Sequence, residues 1–334
     1  MLEFTDFDRR IWEEELAEFV PGAVFDAHVH LWSEAARGAL AGPATGLRTE
    51  VDGRQLRAWC ERIFPGRQCA FLALGTPLPG MDVEAHNRWL AAEAARDPTA
   101  LASMVVTPGM APDELAARLD TGGFFGLKPY RSFAPDQRQA RIADFLPEAL
   151  IEVADDRGRA ITLHLSRPAG PADAGNLEDL RHLTRRYPRV QWILAHCARG
   201  FNPRHLELAL PALRDLPNIW YDTSAVTELY AHYLLFAHED RGRLLFGSDN
   251  VAAGSVHGLY PAYGHAWLFF PGAGALEHCD PTPTLVVYEQ LRQQRRAAMI
   301  AGLTRSEIDA LFWHNAQRLR ARVAASLASE TPLP

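Results

Sequence analysis

Eight short apolar or β-branched runs, each followed by a stretch with helical spacing, constrain this chain more than any other feature. The runs are Ala23–His30, Cys69–Leu74, Leu101–Val106, Phe124–Lys128, Ala160–Leu165, Val190–His196, Asn218–Asp222 and Arg243–Gly247. Between and after them the helical patterns cover Gly53–Phe64, Val83–Arg96, Pro112–Leu119, Phe145–Arg157, Asn176–Tyr187, Pro203–Asp215 and Val226–His238. Asp97-Pro98 and Pro188 stop two of these helices, and Gly158 suits a helix C-terminus. Strands alternating with helices imply parallel pairing, and eight such units predict a closed (β/α)8 TIM barrel. A chain of 334 residues is long enough for one such barrel, so residues 1–334 are read as a single α/β domain.

Several segments stand outside the repeat. An N-terminal helix is expected over residues 6–19. The long loop after strand one, Leu31 to Gln68, includes the Gly/Ala/Pro-rich Gly38–Gly46 and has the length of a functional lid. An aromatic insertion, Leu259–Phe270, follows strand eight. Two extra helices then span Thr284–Ala301 and Arg305–Ser326, the second opened by the capping-box pattern Thr304-x-x-Glu307. The tail Thr331–Pro334 is expected to fray.

Composition excludes several classes of function. The hydrophobic share of 48% and charged share of 22% are those of a soluble globular protein. A net charge of −7 without a lysine/arginine block argues against a nucleic-acid surface. No apolar stretch approaches the ~20 residues of a membrane span. Cys60, Cys69, Cys197 and Cys279 lie far apart with no CxxC pair, which fits neither a zinc knuckle nor a disulfide framework. The first 20 residues are acidic and amphipathic, unlike a secretory signal, and a reducing cytoplasm is the expected compartment.

In a (β/α)8 barrel the C-terminal ends of the strands meet around one mouth, where active sites form. Here those ends carry His28 and His30 on strand one, Lys128 on four, His164 on five and His196 on six, with Asp249 just past eight. Side chains alternate along a strand, so Asp26, His28 and His30 are expected on one face. Imidazoles with a carboxylate suit Zn²⁺, with Mn²⁺ or Fe²⁺ as alternatives. Each residue alone has a plainer explanation. His164 and His196 could be hydrogen-bonded core residues, Asp249 a turn cap, and Lys128 the partner of a buried carboxylate such as Asp26. Cys197 is expected to face away from the mouth into the core.

Taken in order, Asp26-Ala-His28-Val-His30, Gly126-Leu127-Lys128-Pro129, Leu163-His164, Leu194-Ala195-His196-Cys197 and Phe246-Gly247-Ser248-Asp249 resemble the amidohydrolase superfamily. The likeness is to its amidohydrolase-related branch, which includes metal-dependent decarboxylases and lactonases. Trp313-His314-Asn315-Ala316-Gln317-Arg318-Leu319 resembles that branch's final-helix signature, so the likeness runs from about Val24 to Leu319. The resemblance implies that His28, His30, His164 and Asp249 ligate the metal. It makes His196 a second-metal ligand or, with one metal, an acid/base or substrate-polarising group. It also implies that Asp249 takes a proton from a metal-activated water. Lys128 stands where some members carry a carboxylated, metal-bridging lysine, but its Gly-Leu-Lys-Pro context is that of one-metal members. One metal is therefore favoured, with two possible.

Substrate contacts are expected from Arg131, Arg167 and Arg199, each a few residues past a strand end, where a guanidinium can hold a carboxylate. Each could equally form a rim salt bridge. Tyr130 and His257 are further candidates, and Trp32 with the aromatic insertion could wall a ring-shaped pocket or build a subunit interface. The expected activity is metal-dependent hydrolysis of a small carboxylated, cyclic or aromatic substrate of the lactone or amide type. The alternative is non-oxidative decarboxylation of an aromatic or unsaturated acid. A barrel kept only for binding or structure would require a broken ligand set. The partner is a small molecule, not nucleic acid or a membrane, and the aromatic insertion and N-terminal helix are compatible with a homodimer.

Overall fold

The computed structural model describes residues 2–33, 36, 50–76, 80–250, 253–271 and 278–328. The Gly38–Gly46 stretch and the tail Thr331–Pro334 lie outside the described residues. Eight parallel strands form one sheet in sequence order: β1 (Ala23–His30), β2 (Gln68–Leu74), β3 (Ala100–Val106), β4 (Gly126–Pro129), β5 (Ala160–Leu163), β6 (Gln191–Leu194), β7 (Ile219–Asp222) and β8 (Leu244–Leu245). With helices covering the strands outside, this is the expected (β/α)8 architecture. β8 has two residues, and the sheet meets β1 through backbone beyond it. The N–H of Ala27 donates to the Phe246 carbonyl (2.8 Å), that of Asp249 to His28 (2.8 Å) and that of His30 to Asn250 (2.5 Å). The first and last strands thus join at the level where their chemistry-bearing side chains sit.

One strand departs from simple alternation. Along β1, Phe25 pairs with Ala70, Asp26 with Phe71, and His30 with Leu74, with a register shift between Asp26 and Val29. The extra residue is a bulge, and it reverses the phase of the strand. Phe25, Ala27, Ala70, Leu72 and Leu74 belong to one buried cluster with Trp220 and Leu245, whereas Phe71 packs in the outer core. Asp26, paired with Phe71, therefore faces away from the side that His30 shares with Leu74. The expectation that Asp26, His28 and His30 share a face fails at Asp26 because the bulge intervenes. Its carboxylate instead accepts from the backbone N–H of His28 (3.2 Å) and Ser248 (2.9 Å), tying β1 to the turn that carries Asp249.

Two motif glycines are explained by close approach. A Cβ at Gly126 would lie 2.3 Å from the Ala160 carbonyl oxygen, and one at Gly247 would lie 3.0 Å from the His28 Cβ. Both keep neighbouring strands near enough to bring Lys128 and His28 inward.

The helices follow the expected order with local differences. The pattern over Phe145–Arg157 divides into Ile142–Phe145 and Glu148–Asp156, because Pro147 has no N–H and disfavours helical backbone at Leu146. The N-terminal helix Asp6–Ile11, capped by Thr5, widens into a π-helical turn over Trp12–Leu16. The aromatic insertion forms a small hairpin, Ala262–Tyr263 with Ala266–Trp267. The capping box at Thr304 and Glu307 is formed, and the final helix, Asn315–Ala328, sends Ala316 and Leu319 into the cluster at the strand-start end of the barrel. No helix among the described residues is long and apolar enough to cross a membrane.

Candidate functional site

At the opposite, strand-end mouth a cavity of about 280 Å³ is lined by His28, His30, Lys128, Tyr130, Arg131, Ser132, Gln137, His164, His196 and Asp249. Strand geometry delivers most of these: β1 ends on His30, and β4 carries Lys128 with Tyr130 just beyond. His164 follows the last residue of β5. His196 arrives differently. β6 ends at Leu194, two residues before the strand expected from sequence, and His196, Cys197, Ala198 and Arg199 then adopt left-handed backbone with φ between 52° and 62°. Four such non-glycine residues in a row are costly, about 1–2 kcal/mol each, and strain of this kind concentrates at functional sites. Asp249 is also left-handed, with φ 54°.

The histidines have their protons placed by what lies behind them. His28 Nδ1 lies 2.9 Å from a carboxylate oxygen of Asp222, and His164 Nδ1 lies 2.9 Å from the Leu165 carbonyl. His196 Nδ1 faces the Ser224 carbonyl at 3.1 Å. Carbonyls and an ionised carboxylate only accept, so each of these Nδ1 atoms carries the hydrogen. Tyr130 donates its hydroxyl hydrogen to the Gly75 carbonyl, leaving the phenol oxygen to accept from His30 Nδ1 at 3.5 Å. All four imidazoles thereby present bare Nε2 atoms, the arrangement in which outer partners prepare histidines for a metal.

The donors also stand at the right separations. His28 Nε2 and His30 Nε2 are 3.3 Å apart, and an Asp249 oxygen is 3.5 Å from the first and 3.2 Å from the second. Ligand atoms about 2.05 Å from a tetrahedral cation are about 3.3 Å from one another. His28, His30 and Asp249 form such a group; His164 lines the same cavity but is outside this tight trio, its ring 5.1 Å from that of His196. A second trio, His28, His196 and Asp222, is also compact. Its carboxylate is already committed, because Asp222 accepts from His28, from the backbone N–H of His196 and Ser224, and from the Ser224 hydroxyl.

Electrostatics keep the donors in the needed forms. Burial, reinforced by the Lys128 charge and opposed by Asp222, pushes the His28 imidazole down to about 4. His164 and His196 are lowered by burial as well. Burial alone would raise the Asp249 carboxyl, but its close contact with His30 and the nearness of His28 and His196 outweigh it and hold it at about 2. Burial lowers the Lys128 ammonium to about 8, against the pull of Asp222 and Asp249. Those two carboxylates, not Asp26, are its charged surroundings. Its Nζ lies 5.1 Å above the Tyr130 ring.

The remaining sequence candidates divide. Arg131 lines the cavity. Arg199 is near enough for its charge to be felt at His164 and is anchored on the carbonyls of Ser166 and Arg167. Arg167 is paired with Asp173 at 2.6 Å, His257 with Asp8 at 2.9 Å, and neither lines the cavity. Trp32 is buried beside Val51, also away from the lining. The aromatic insertion reaches the site indirectly: Trp267 stacks on Phe201 (4.3 Å), whose ring is 5.3 Å from His196. Asp222 belongs to no motif, and its one signal in the sequence is that a charged residue closes a barrel strand.

The amidohydrolase family model matches residues 25–319, nearly the whole barrel. The chain belongs to the amidohydrolase family. This amidohydrolase also resembles solved structures at low identity, a likeness that shows the fold. 4-Oxalomesaconate hydratase from Rhodopseudomonas palustris aligns with a TM-score of 0.55 and 18% identity over 92% of this chain and 98% of that one. A Pseudomonas putida protein described as a candidate 2-pyrone-4,6-dicarboxylic acid hydrolase gives 0.56 and 14% over 91% and 99%. 5-Carboxyvanillate decarboxylase from Sphingomonas paucimobilis gives 0.53 and 12% over 90% and 99%. No curated protein matches the chain. The family is metal-dependent, and the amidohydrolase described here has the His/Asp groups to bind a metal.

Proposed function

We propose that this amidohydrolase hydrolyses a small carboxylated substrate of the lactone or amide type at a single divalent cation held by His28, His30, His164 and Asp249. The observation that carries the reading is the meeting of the bare His28 and His30 Nε2 atoms with an Asp249 oxygen, beside His164 in the same cavity, each imidazole backed by its own acceptor. Three nitrogens and one oxygen suit zinc. The second compact trio is closed by hydrogen bonds to Asp222, which favours one cation and an uncarboxylated Lys128. A divalent cation in this set would acidify a water towards pH 7 and polarise a carbonyl.

The protein's own residues supply the rest. Asp249, held as a carboxylate, accepts the proton of the attacking water and returns it to the leaving oxygen or nitrogen. The buried Lys128 ammonium lines the same cavity and can stabilise the negative charge that develops on the carbonyl oxygen, while the bare Nε2 of His196 offers a proton acceptor. Arg131 and Arg199 offer guanidinium hydrogens to a substrate carboxylate. One water is consumed, with its oxygen retained in the new carboxylate.

Decarboxylation of an aromatic or unsaturated acid is the competing reaction for the same residues, and it consumes no net water. Turnover of carboxylated lactones and amides in ¹⁸O-water separates the two. We expect one labelled oxygen in the product and no carbon dioxide; carbon dioxide release without label would replace hydrolysis by decarboxylation. The Asp249→Asn variant should keep its circular dichroism and lose turnover by at least about 100-fold. Near-normal turnover in that variant would remove Asp249 from the mechanism.

A further inference from the structure

Asp222 closes β7, a strand from which no ligand or acid was expected. It is wholly buried, and its two oxygens have different tasks. Oδ2 faces His28 Nδ1 at 2.9 Å. Oδ1 accepts from the backbone N–H of His196 and of Ser224, both at 3.1 Å, and from the Ser224 hydroxyl. With its hydrogen given to Asp222, the Ser224 oxygen keeps lone pairs for His196 Nδ1, 2.9 Å away. One carboxylate therefore touches two neighbouring imidazoles, whose rings are 4.8 Å apart, one directly and one through a serine.

We infer that Asp222 is a positioning residue that sets the proton of His28 on Nδ1 and pins the left-handed turn that presents His196. The two imidazoles are not equally dependent on it. His196 Nδ1 also faces the Ser224 carbonyl, an acceptor that no side-chain substitution removes, so its tautomer is held twice. His28 has no second acceptor at Nδ1 among the described residues. Its bare Nε2 rests on Asp222 alone.

This asymmetry gives Asp222→Asn a specific consequence. An amide has one accepting atom and one donating group of nearly the same shape. Three hydrogens converge on the Oδ1 side, so the amide oxygen stays there and the NH2 group turns towards His28. Facing a donor, His28 Nδ1 must become the acceptor, and its hydrogen moves to Nε2, into the position a cation would take. Asp222→Asn thus reverses the His28 tautomer and leaves that of His196 unchanged.

The inference rests on the proposed cation site for its importance, but its test does not require that reading. In the metal-free full-length protein with ¹⁵N-labelled histidine, imidazole two-bond correlation spectra report which nitrogen carries hydrogen, and His28→Gln assigns the signal. The wild type should show His28 protonated on Nδ1, Asp222→Asn should show it on Nε2, and Ser224→Ala should leave it on Nδ1. Zinc affinity should fall about 10–100-fold in Asp222→Asn. A His28 already protonated on Nε2 in the wild type overturns the inference even if the variant fails to fold. So does an unchanged His28 signal in folded Asp222→Asn. If the wild type binds no zinc while the tautomers behave as stated, the cation site fails and the role of Asp222 stands.

Discussion

Arg131 and Arg199 show at residue scale how a substrate can be inferred from what a site lacks. Arg131 donates to the Gln137 carbonyl, Arg199 to two carbonyls, and neither forms an ion pair with a carboxylate among the described residues. Burial, with the Arg131 charge adding to it, lowers the Arg199 guanidinium to about 10, and its buried Nε has no hydrogen-bond partner. Two partly desolvated cations beside one cavity are unfavourable in the empty protein, and an entering carboxylate offsets that cost. A charge-assisted hydrogen bond contributes about 1.5–3 kcal/mol, so Arg131→Ala should raise KM about 10–100-fold, with a smaller effect on kcat. The comparison that decides it is a substrate with its carboxylate replaced by a neutral amide. Wild type and variant should handle that analogue alike; an equal loss on both compounds would show that Arg131 serves the cavity wall and not the carboxylate.

At the scale of elements, the N-terminal helix is clamped to the chain beyond β8 through one buried carboxylate. Asp8 accepts from His257 (2.9 Å), from the Thr5 backbone and hydroxyl, and from the Leu285 backbone N–H. The hydrogen bond to Asp8 raises the His257 imidazole, and burial only partly opposes it. Burial pushes the Asp8 carboxyl up, but His257 and Thr5 overcome it and lower it. The signs give a window. The raised histidine stabilises fully below its unfolded value near 6.5 and loses this as pH rises through its folded value. The depressed aspartate stabilises above about 3.8 and loses this as pH falls. The clamp is therefore strongest between about pH 4 and 6.5. His257→Ala should cost about 1.5–3 kcal/mol at pH 5.5 and less at pH 8.5, measured by urea denaturation. A cost that grows with pH would refute the pairing.

Most elements of the barrel are legible in the sequence itself. The eight strands were legible because buried parallel strands read as short apolar runs, and the turn residues bounding them are local signals. His28, His30, Lys128, His164, His196 and Asp249 were legible because strand ends converge in this architecture, and all six line one cavity. The bulge in β1 was not, since it arises from pairing with β2 and leaves no local mark. The left-handed turn from His196 to Arg199 was equally hidden: it contains no glycine or asparagine, and it is held by Asp222, 26 residues further along the chain. Arg167 and His257 had suitable positions, but their partners Asp173 and Asp8 are revealed only by the fold.

For the whole molecule, the decisive geometry is the seam between β1 and the chain after β8. The seam is narrow, because β8 contributes two residues and three backbone hydrogen bonds beyond it complete the join to β1. His28 and His30 lie on one side and Asp249 on the other, so a cation held by them would clip the barrel across its joint. Such a cation binds the folded chain, whereas the unfolded chain leaves Asp249 far from His28 and His30, and binding should therefore raise thermal stability. At a free concentration one hundred times Kd the gain is about 2.7 kcal/mol. With about 2.1 cal/mol/K of unfolding entropy per residue, a chain of 334 residues should gain about 4 °C in Tm. Scanning calorimetry of metal-free protein with and without zinc measures it. His30→Ala, which removes a ligand from one side of the seam, and Asp249→Asn, which weakens the other, should each lose most of the shift. An undiminished shift in both variants would place the cation somewhere other than the seam, and with it would fall the assignment of these residues as ligands.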